Sequence, residues 1–147
     1  MDGVQTLAEN LTGEKKELNL PSTLDSVDKA ASEAAAFAQE FGFPDDALFA
    51  IDMAVREAVA NAVKHGNKQD ETKQVEITLV SLDEALEIVI RDFGEGFDAS
   101  EVPDPTNPEN LLKASGRGIL FMHNFVDKVE WKRHPQGGMI VKMTKNH

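Results

Sequence analysis

The order of apolar and polar positions along the chain predicts five strands. Two β-branched runs of alternating character are separated by a polar turn around Asp83, which predicts an antiparallel hairpin. A second pair of strands flanks the turn at residues 135–138, and a short first strand stops at Pro21. The predicted strands cover residues 16–20, 75–80, 86–92, 126–133 and 139–144.

Two stretches between these strands carry apolar residues at helical spacing. The first is alanine-rich and predicts a helix over residues 24–41, with Ser22 or Thr23 as its cap and Gly42 as its stop signal. The second starts at residue 44, where a proline followed by two aspartates suits the first turn of a helix. We expect that helix to run to about residue 65 and to end at Gly66.

The segment 98–118 contains three prolines and many polar residues, which predicts a mobile loop or lid. An apolar stretch over 119–125 then predicts a short helix. The resulting order of elements predicts an α+β fold, a two-layer α/β sandwich whose antiparallel-rich mixed sheet has its helices on one face. Residues 1–13 are polar and without periodicity, so we expect a flexible leader followed by a single domain over 14–147.

Charge and composition exclude several classes of function. The 147 residues carry a formal net charge of −11, which argues against direct nucleic-acid binding. The chain has no cysteine, so a disulfide scaffold, a thiol nucleophile and a sulfur-based zinc site are excluded. No stretch approaches the ~20 apolar residues that cross a bilayer. We therefore expect a cytoplasmic protein without membrane contact.

The second predicted helix carries the first candidate site residues. Glu57, Asn61, Lys64 and His65 fall near one side of it, beside an apolar stripe. An asparagine offers Mg²⁺ a hard oxygen ligand, and a carboxylate one turn away can take a proton. The same pattern is also typical of a solvated helix face, and a histidine at a helix end is more often a packing residue than a ligand.

A glycine-containing segment follows the strand at 86–92. Asp92 is followed by Gly94 and Gly96, and two glycines one residue apart let a backbone approach a flat ligand closely. A carboxylate fixed at a strand end can accept a hydrogen bond from an exocyclic amine such as that of adenine. The alternative is a glycine turn capped by an aspartate.

A third motif opens the apolar helix at 119–125. Gly116, Arg117 and Gly118 precede it, and free amides at a helix start beside an arginine suit phosphate groups. The spacing is not that of a P-loop, and the first strand is not followed by a dinucleotide-binding glycine motif. Taken alone, this segment is equally typical of a loop that begins a helix.

The three motifs in this order resemble the GHKL ATP-binding fold shared by gyrase, histidine kinases and MutL. Within that superfamily the chain resembles the bacterial anti-sigma-factor serine/threonine kinases over roughly residues 14–145. Residues 55–66 are similar to their N box, 92–98 to their G1 box and 116–122 to their G2 box. The members often carry a threonine after a glycine near the last strand, and Met139 follows the glycines here.

The resemblance implies ATP and Mg²⁺ as cofactors and assigns a role to each motif. It implies that Glu57 is the general base for a substrate hydroxyl, that Asn61 coordinates Mg²⁺ and that Asp92 binds the adenine amine. Lys64 receives a supporting role toward phosphate. The glycines and the arginine are expected to flank the base or to hold the phosphates: Gly94, Gly96, Gly116, Arg117 and Gly118.

The family further implies a homodimer that binds a sigma factor in one state and phosphorylates a STAS-domain anti-anti-sigma protein in another. Two other functions stay open on the residues alone. One is an ATP-gated module that sequesters a regulator without phosphotransfer, with nucleotide ordering the segment from about Asp98 to Ser115. The other is a detached histidine-kinase catalytic domain that acts on a histidine of another chain.

Overall fold

A five-stranded antiparallel sheet forms one layer of the protein. The computed structural model describes residues 13–68, 70–94 and 122–147. Neighbouring strands follow the order β1-β2-β3-β5-β4, and all four pairings are antiparallel. The strands are β1 Lys15–Pro21, β2 Gln74–Ser81, β3 Ala85–Arg91, β4 Lys128–Arg133 and β5 Met139–Asn146.

Two helices form the second layer. Helix α1 spans Asp25–Glu40, and helix α2 spans Asp45–Asn61 and continues into a π-helical turn at Ala62–Gly66. Residues 122–125 are also helical, and they are the described end of the helix that the sequence predicts at 119–125. The predicted α+β sandwich is therefore confirmed. The predicted lid at 98–118 and residues 1–12 of the predicted leader lie outside the described residues.

One apolar core lies between the sheet and the helices. Alternate residues of the strands point into it, while the other face of the sheet mixes charged and polar residues with the half-buried Val80, Val89 and Ile140. Four alanines of α1 are fully buried, Ala30, Ala31, Ala34 and Ala38, and their small side chains let this helix approach α2 closely. Burying each larger aliphatic side chain contributes roughly 1.5–3 kcal/mol. Fully buried members include Ala30, Ala34, Ile51, Val55, Val59, Ile77, Leu79, Ile88 and Ile90.

The start of α1 differs from the sequence prediction. Leu24 occupies the cap position without a side-chain hydrogen bond, so neither Ser22 nor Thr23 caps the helix. The Ser26 hydroxyl instead closes the turn by donating to the Pro21 carbonyl at 2.7 Å. The Ser22 side chain is buried and accepts a hydrogen bond from elsewhere in the fold. Because the Ser22 side chain is engaged in this hydrogen bond, it does not cap the helix.

The end of α2 also departs from a simple α-helix. The backbone N–H of Asn67 donates to the Ala62 carbonyl at 2.8 Å. This bond joins residues five positions apart, one more than in an α-helical turn. Gly66 is the last residue of this widened turn, as the sequence predicts, yet its φ is not positive; the left-handed residue is Lys68, with φ 54°. Gly42, which follows α1, has φ +87° and fits the predicted stop signal.

No helix within 13–68, 70–94 and 122–147 combines the length and the apolar content that a bilayer crossing needs.

Candidate functional site

Helix α2 places Glu57 and Asn61 beside the core. The buried stripe of this helix includes Ala58 and Val59, and Glu57 and Asn61 lie half-buried at its border, one turn apart. The neighbouring Arg56 pairs with Asp52 of the same helix at 2.8 Å and reaches across to Asp28 of α1. Arg56 thus ties the two helices together. Glu57 and Asn61 project from a helix that is held by its apolar stripe against the core and by Arg56 against α1.

The widened turn changes the positions of Lys64 and His65. The sequence prediction places both on the Glu57 side by continuing a regular α-helix. A π-helical turn contains more residues per turn than an α-helix, so residues after Ala62 are rotated from their expected angles. Both side chains are exposed. Neither is fixed by its helix as firmly as Glu57 and Asn61.

Asp92 directly follows β3, which is the central strand of the sheet. Its side chain is only 7% exposed. The Gly94 and Met139 amides donate to its Oδ1 at 3.0 and 3.2 Å, so the carboxylate is held by its own turn and by the start of β5. Both bonds end on Oδ1, while Oδ2 lies against Gly66. The carboxylate is therefore oriented by backbone atoms alone.

Burial raises the pKa of Asp92 above its ordinary value of 3.8. The hydrogen bonds from Gly94 and Met139 and the charges of Lys73 and Arg91 act in the opposite direction and offset part of the desolvation. A buried acceptor of this kind favours a ligand that brings a hydrogen-bond donor, because the bond replaces lost solvation. An amine on a flat base fits that requirement.

Three glycines allow the backbone segments to meet around Asp92. A Cβ atom on Gly94 would lie 1.8 Å from the Gly66 carbonyl oxygen, and one on Gly66 would lie 2.2 Å from Asp92 Oδ2. Gly138, in the β4–β5 turn, has φ +86°, and a Cβ there would lie 2.0 Å from the Asp92 carbonyl oxygen. The end of α2, the end of β3 and the β4–β5 turn therefore converge on one carboxylate.

The site residues follow one another along the axis of α2. Asp92 lies beside Gly66 at the end of the widened turn. At about 1.5 Å per residue, Asn61 stands about 7 Å and Glu57 about 13 Å before Gly66. Asp92, Asn61 and Glu57 are thus spaced along the length of α2, in that order from its C-terminal end.

Sequence reasoning missed Asn67, which is 1% exposed. Its Oδ1 accepts from the Phe93 amide at 2.8 Å, and its Nδ2 donates to Ser22 Oγ and to the Gln74 carbonyl, both at 3.0 Å. The only sequence signal is an asparagine after a glycine at a helix end, which ordinarily indicates a turn. Its three partners are far apart in the sequence.

The structure brings Asp92 and Gly94 against Gly66 at the end of α2, with Asn61 and Glu57 farther back along the helix, and the described residues do not include the third motif. Gly96, Gly116, Arg117 and Gly118 lie outside the described residues. Met139 stands where members of the family often carry a threonine, and it contacts Asp92 through its backbone N–H group.

Residues 20–145 match the family model of the histidine kinase-like ATPase domain. The chain belongs to this family. Among the curated members, it is 33% identical over 138 residues to the anti-sigma F factor of Bacillus licheniformis, covering 90% of this chain and 93% of that one. It is 27% identical over 135 residues to the serine-protein kinase RsbW of Bacillus subtilis (strain 168), covering 88% and 83%. The resemblance to the anti-sigma-factor kinases is confirmed.

Two solved structures share the fold of this chain. The crystal structure of the RsbU and RsbW domains from Mycobacterium tuberculosis superposes with a TM-score of 0.65 at 17% identity, over 90% of this chain and 32% of that chain. The SiaB-SiaC complex from Pseudomonas aeruginosa gives 0.62 at 12% identity, over 99% and 98%. These likenesses support the two-layer fold.

Proposed function

We propose that this member of the family is a partner-switching protein kinase. It is an ATP-dependent serine/threonine kinase and an anti-sigma factor, and it phosphorylates a serine of a STAS-domain anti-anti-sigma protein. The names of its relatives, which include serine-protein kinases and anti-sigma F factors, support this function. We assign the activity to a single domain over residues 14–147, with 1–13 as a leader.

The observation that carries the proposal is the row formed by Asp92, Asn61 and Glu57 along α2. A nucleotide has a base at one end and a reactive phosphate at the other. With its adenine amine on Asp92 Oδ2, its phosphates extend along the helix toward Asn61 and Glu57. The buried carboxylate and the half-buried Asn61 amide offer the acceptor and the hard oxygen that adenine and Mg²⁺ require.

Asn61 would hold Mg²⁺ through its amide oxygen, and the metal would supply charge neutralisation at the phosphates. No group of three or more histidine, aspartate or glutamate residues within 13–68, 70–94 and 122–147 is arranged to hold a metal. Asn61 is the protein ligand that we assign to the metal. Lys64 and the glycine–arginine motif of Gly116, Arg117 and Gly118 complete the phosphate contacts in this proposal, and Gly94 and Gly96 flank the base.

Glu57 acts as the general base. Its carboxylate accepts the proton of the substrate serine hydroxyl while that oxygen bonds to the γ-phosphorus and ADP leaves. Helix α2 supports this role by holding Glu57 one turn beyond Asn61, at the phosphate end of the row. Phosphoryl transfer depends mostly on positioning and charge neutralisation, and a helix packed on both sides supplies the positioning.

The remaining parts of the proposal concern assembly. The protein forms a homodimer in the cytoplasm, binds a sigma factor in one nucleotide state, and makes no direct contact with nucleic acid or membrane. Sedimentation of the purified protein tests the dimer. Co-purification with each sigma factor of the same genome, in ATP and in ADP, tests the nucleotide-dependent partner.

The decisive experiment measures transfer of radiolabel from ATP to candidate STAS proteins. Wild type should give an acid-stable phosphoserine, and Glu57→Gln should lower the rate at least a hundredfold while ATP binding measured by calorimetry stays within about threefold. Glu40→Gln, which removes an equal charge from an exposed position of α1, is the matched control and should keep the wild-type rate.

Each alternative gives a different result in the same assay. ATP binding without transfer to any STAS protein supports the ATP-gated module. An acid-labile product supports a histidine-kinase catalytic domain. An undiminished rate in Glu57→Gln contradicts the assignment of the base.

A further inference from the structure

The Asn67 carboxamide uses three of its hydrogen-bonding positions, and each bond goes to a different strand end. Ser22 follows β1, Gln74 begins β2 and Phe93 follows β3. The three partners are 45, 7 and 26 residues away in the sequence. A single side chain thus joins the ends of three neighbouring strands directly behind the widened turn of α2.

The bond to Phe93 is the one that reaches the site. Phe93 lies between Asp92, which holds the candidate base acceptor, and Gly94, whose amide orients that acceptor. Holding the Phe93 N–H at 2.8 Å from Asn67 Oδ1 fixes the plane of the peptide bond between Asp92 and Phe93, directly after the carboxylate-bearing residue. On the other side of the same residue, the Arg91 guanidinium stacks over the Phe93 ring at 4.2 Å.

Burial makes this arrangement specific. Asn67 is 1% exposed, so a rotation of its amide would take its acceptor away from the Phe93 N–H and at the same time lose the two donated bonds. Water cannot readily replace those bonds at such a site. Only one orientation of the carboxamide satisfies all three partners, and that orientation dictates the backbone after β3.

We propose that Asn67 is a positioning residue for adenine recognition, acting through the Phe93 amide to hold the Asp92 carboxylate toward the base. This inference rests on the proposed nucleotide site. It assigns specificity for the 6-amino group to a side chain that does not touch the nucleotide. It also separates two functions of the residues that end α2: Gly66 leaves room for the carboxylate, and Asn67 orients it.

The test compares the affinities for ATP and for purine riboside triphosphate, which lacks the 6-amino group. Calorimetry gives the ratio of the two affinities for wild type and for Asn67→Ala. In Asn67→Ala the affinity for ATP should fall about five- to tenfold while that for the analogue changes less than twofold, because only ATP uses Asp92 through its amine. The selectivity ratio should therefore fall about five- to tenfold.

Ser26→Ala is the matched control. It removes a buried hydroxyl that bonds to the Pro21 carbonyl in the same region but does not contact Asn67. It should lower the melting temperature and keep the wild-type selectivity ratio. If Asn67→Ala fails to fold, Ser22→Ala replaces it, since losing one of the two anchors of Nδ2 should lower the ratio about twofold.

The outcomes separate this inference from the proposed function. Wild type that prefers ATP, together with an Asn67→Ala variant of unchanged selectivity, overturns the role of Asn67 and leaves the nucleotide site intact. An equal loss of both affinities in Asn67→Ala also overturns it, because that result marks a purely structural residue. Wild type that binds neither nucleotide overturns the proposed function itself.

Discussion

Gly66 and Asp92 are in contact across the end of α2, and a Cβ atom on Gly66 would lie 2.2 Å from Asp92 Oδ2. The conformation of Gly66 is open to any residue, since its φ is not positive. Glycine is required there because a Cβ atom would collide with Asp92, and not because the backbone adopts a positive φ. A helix end and a strand end therefore meet at a distance that excludes even a methyl group.

Replacement of Gly66 by alanine should displace the Asp92 carboxylate and lower the affinity for ATP tenfold or more, because the charge-assisted bond to the base is lost. Calorimetry with Mg²⁺ and ATP measures the change. Gly42→Ala is the control: it strains a left-handed residue in open space and should lower stability by about 1 kcal/mol without changing the affinity. Equal affinities in wild type and Gly66→Ala would contradict the contact.

The β4–β5 turn offers a matched pair of glycines. Gly137 and Gly138 have φ +103° and +86°, so an alanine is strained at either position. Only at Gly138 would its Cβ meet the site, 2.0 Å from the Asp92 carbonyl oxygen, whereas nothing lies within 4 Å at Gly137. Both variants should melt at a lower temperature, and only Gly138→Ala should lose nucleotide affinity. A loss of affinity in both variants would point to general destabilisation instead.

Asp92→Asn should abolish ATP binding and at the same time stabilise the free protein at neutral pH. The folded-state pKa of Asp92 is raised above 3.8 by burial, so the unfolded chain gives up this proton at a lower pH than the folded chain does. The ionised carboxylate of wild type therefore lowers the free energy of unfolding. This loss of stability is absent below pH 3.8 and becomes complete as the pH rises above the raised pKa.

Thermal melting of wild type and Asp92→Asn at several pH values measures this difference. The gap in melting temperature should be full at pH 7 and should shrink as pH falls through the raised pKa toward 3.8. A gap that is constant over this range would contradict the direction of the pKa shift. Calorimetry at pH 7 follows the loss of ATP binding in the same samples.

Asn61→Ala should remove the dependence of ATP binding on Mg²⁺. A formal net charge of −11 repels a bare nucleotide polyanion, so wild type should bind ATP at least tenfold more tightly with Mg²⁺ than with a chelator. Without the amide oxygen, most of that gain should disappear while the weak metal-free binding stays. Asn19→Ala, at an exposed position of β1, is the control. A full Mg²⁺ effect in Asn61→Ala would remove Asn61 from the metal.

The sequence was most informative where the chain repeats a pattern. Alternation in β2 and β3 and the apolar stripe of α2 predicted the sheet, the helix layer and the border position of Glu57 and Asn61, because each depends on local periodicity. Asp92 was identified from its place between a strand and a glycine. These features require no knowledge of which segments meet.

Contacts between distant segments could not be read in the same way. Ser22 was predicted as a helix cap from its residue type, but the fold uses it as the acceptor for Asn67. The widened turn after Asn61 has no periodic signature, so the rotation of Lys64 and His65 was missed. The sequence around Asn67 indicates only a turn residue, and its three hydrogen-bond partners are known only from the fold.

The hydrogen bond between Met139 and Asp92 has a consequence for the order of folding. These residues are 47 positions apart, whereas β2 and β3 form a hairpin across a short turn. Closing the longer loop costs more chain entropy, so the β3–β5 pairing should follow the hairpin in time. The carboxylate that we assign to adenine gains its second backbone donor only once β3 and β5 are paired. Nucleotide binding would then report that this pairing has formed, and a chain still lacking β5 would hold ATP only weakly.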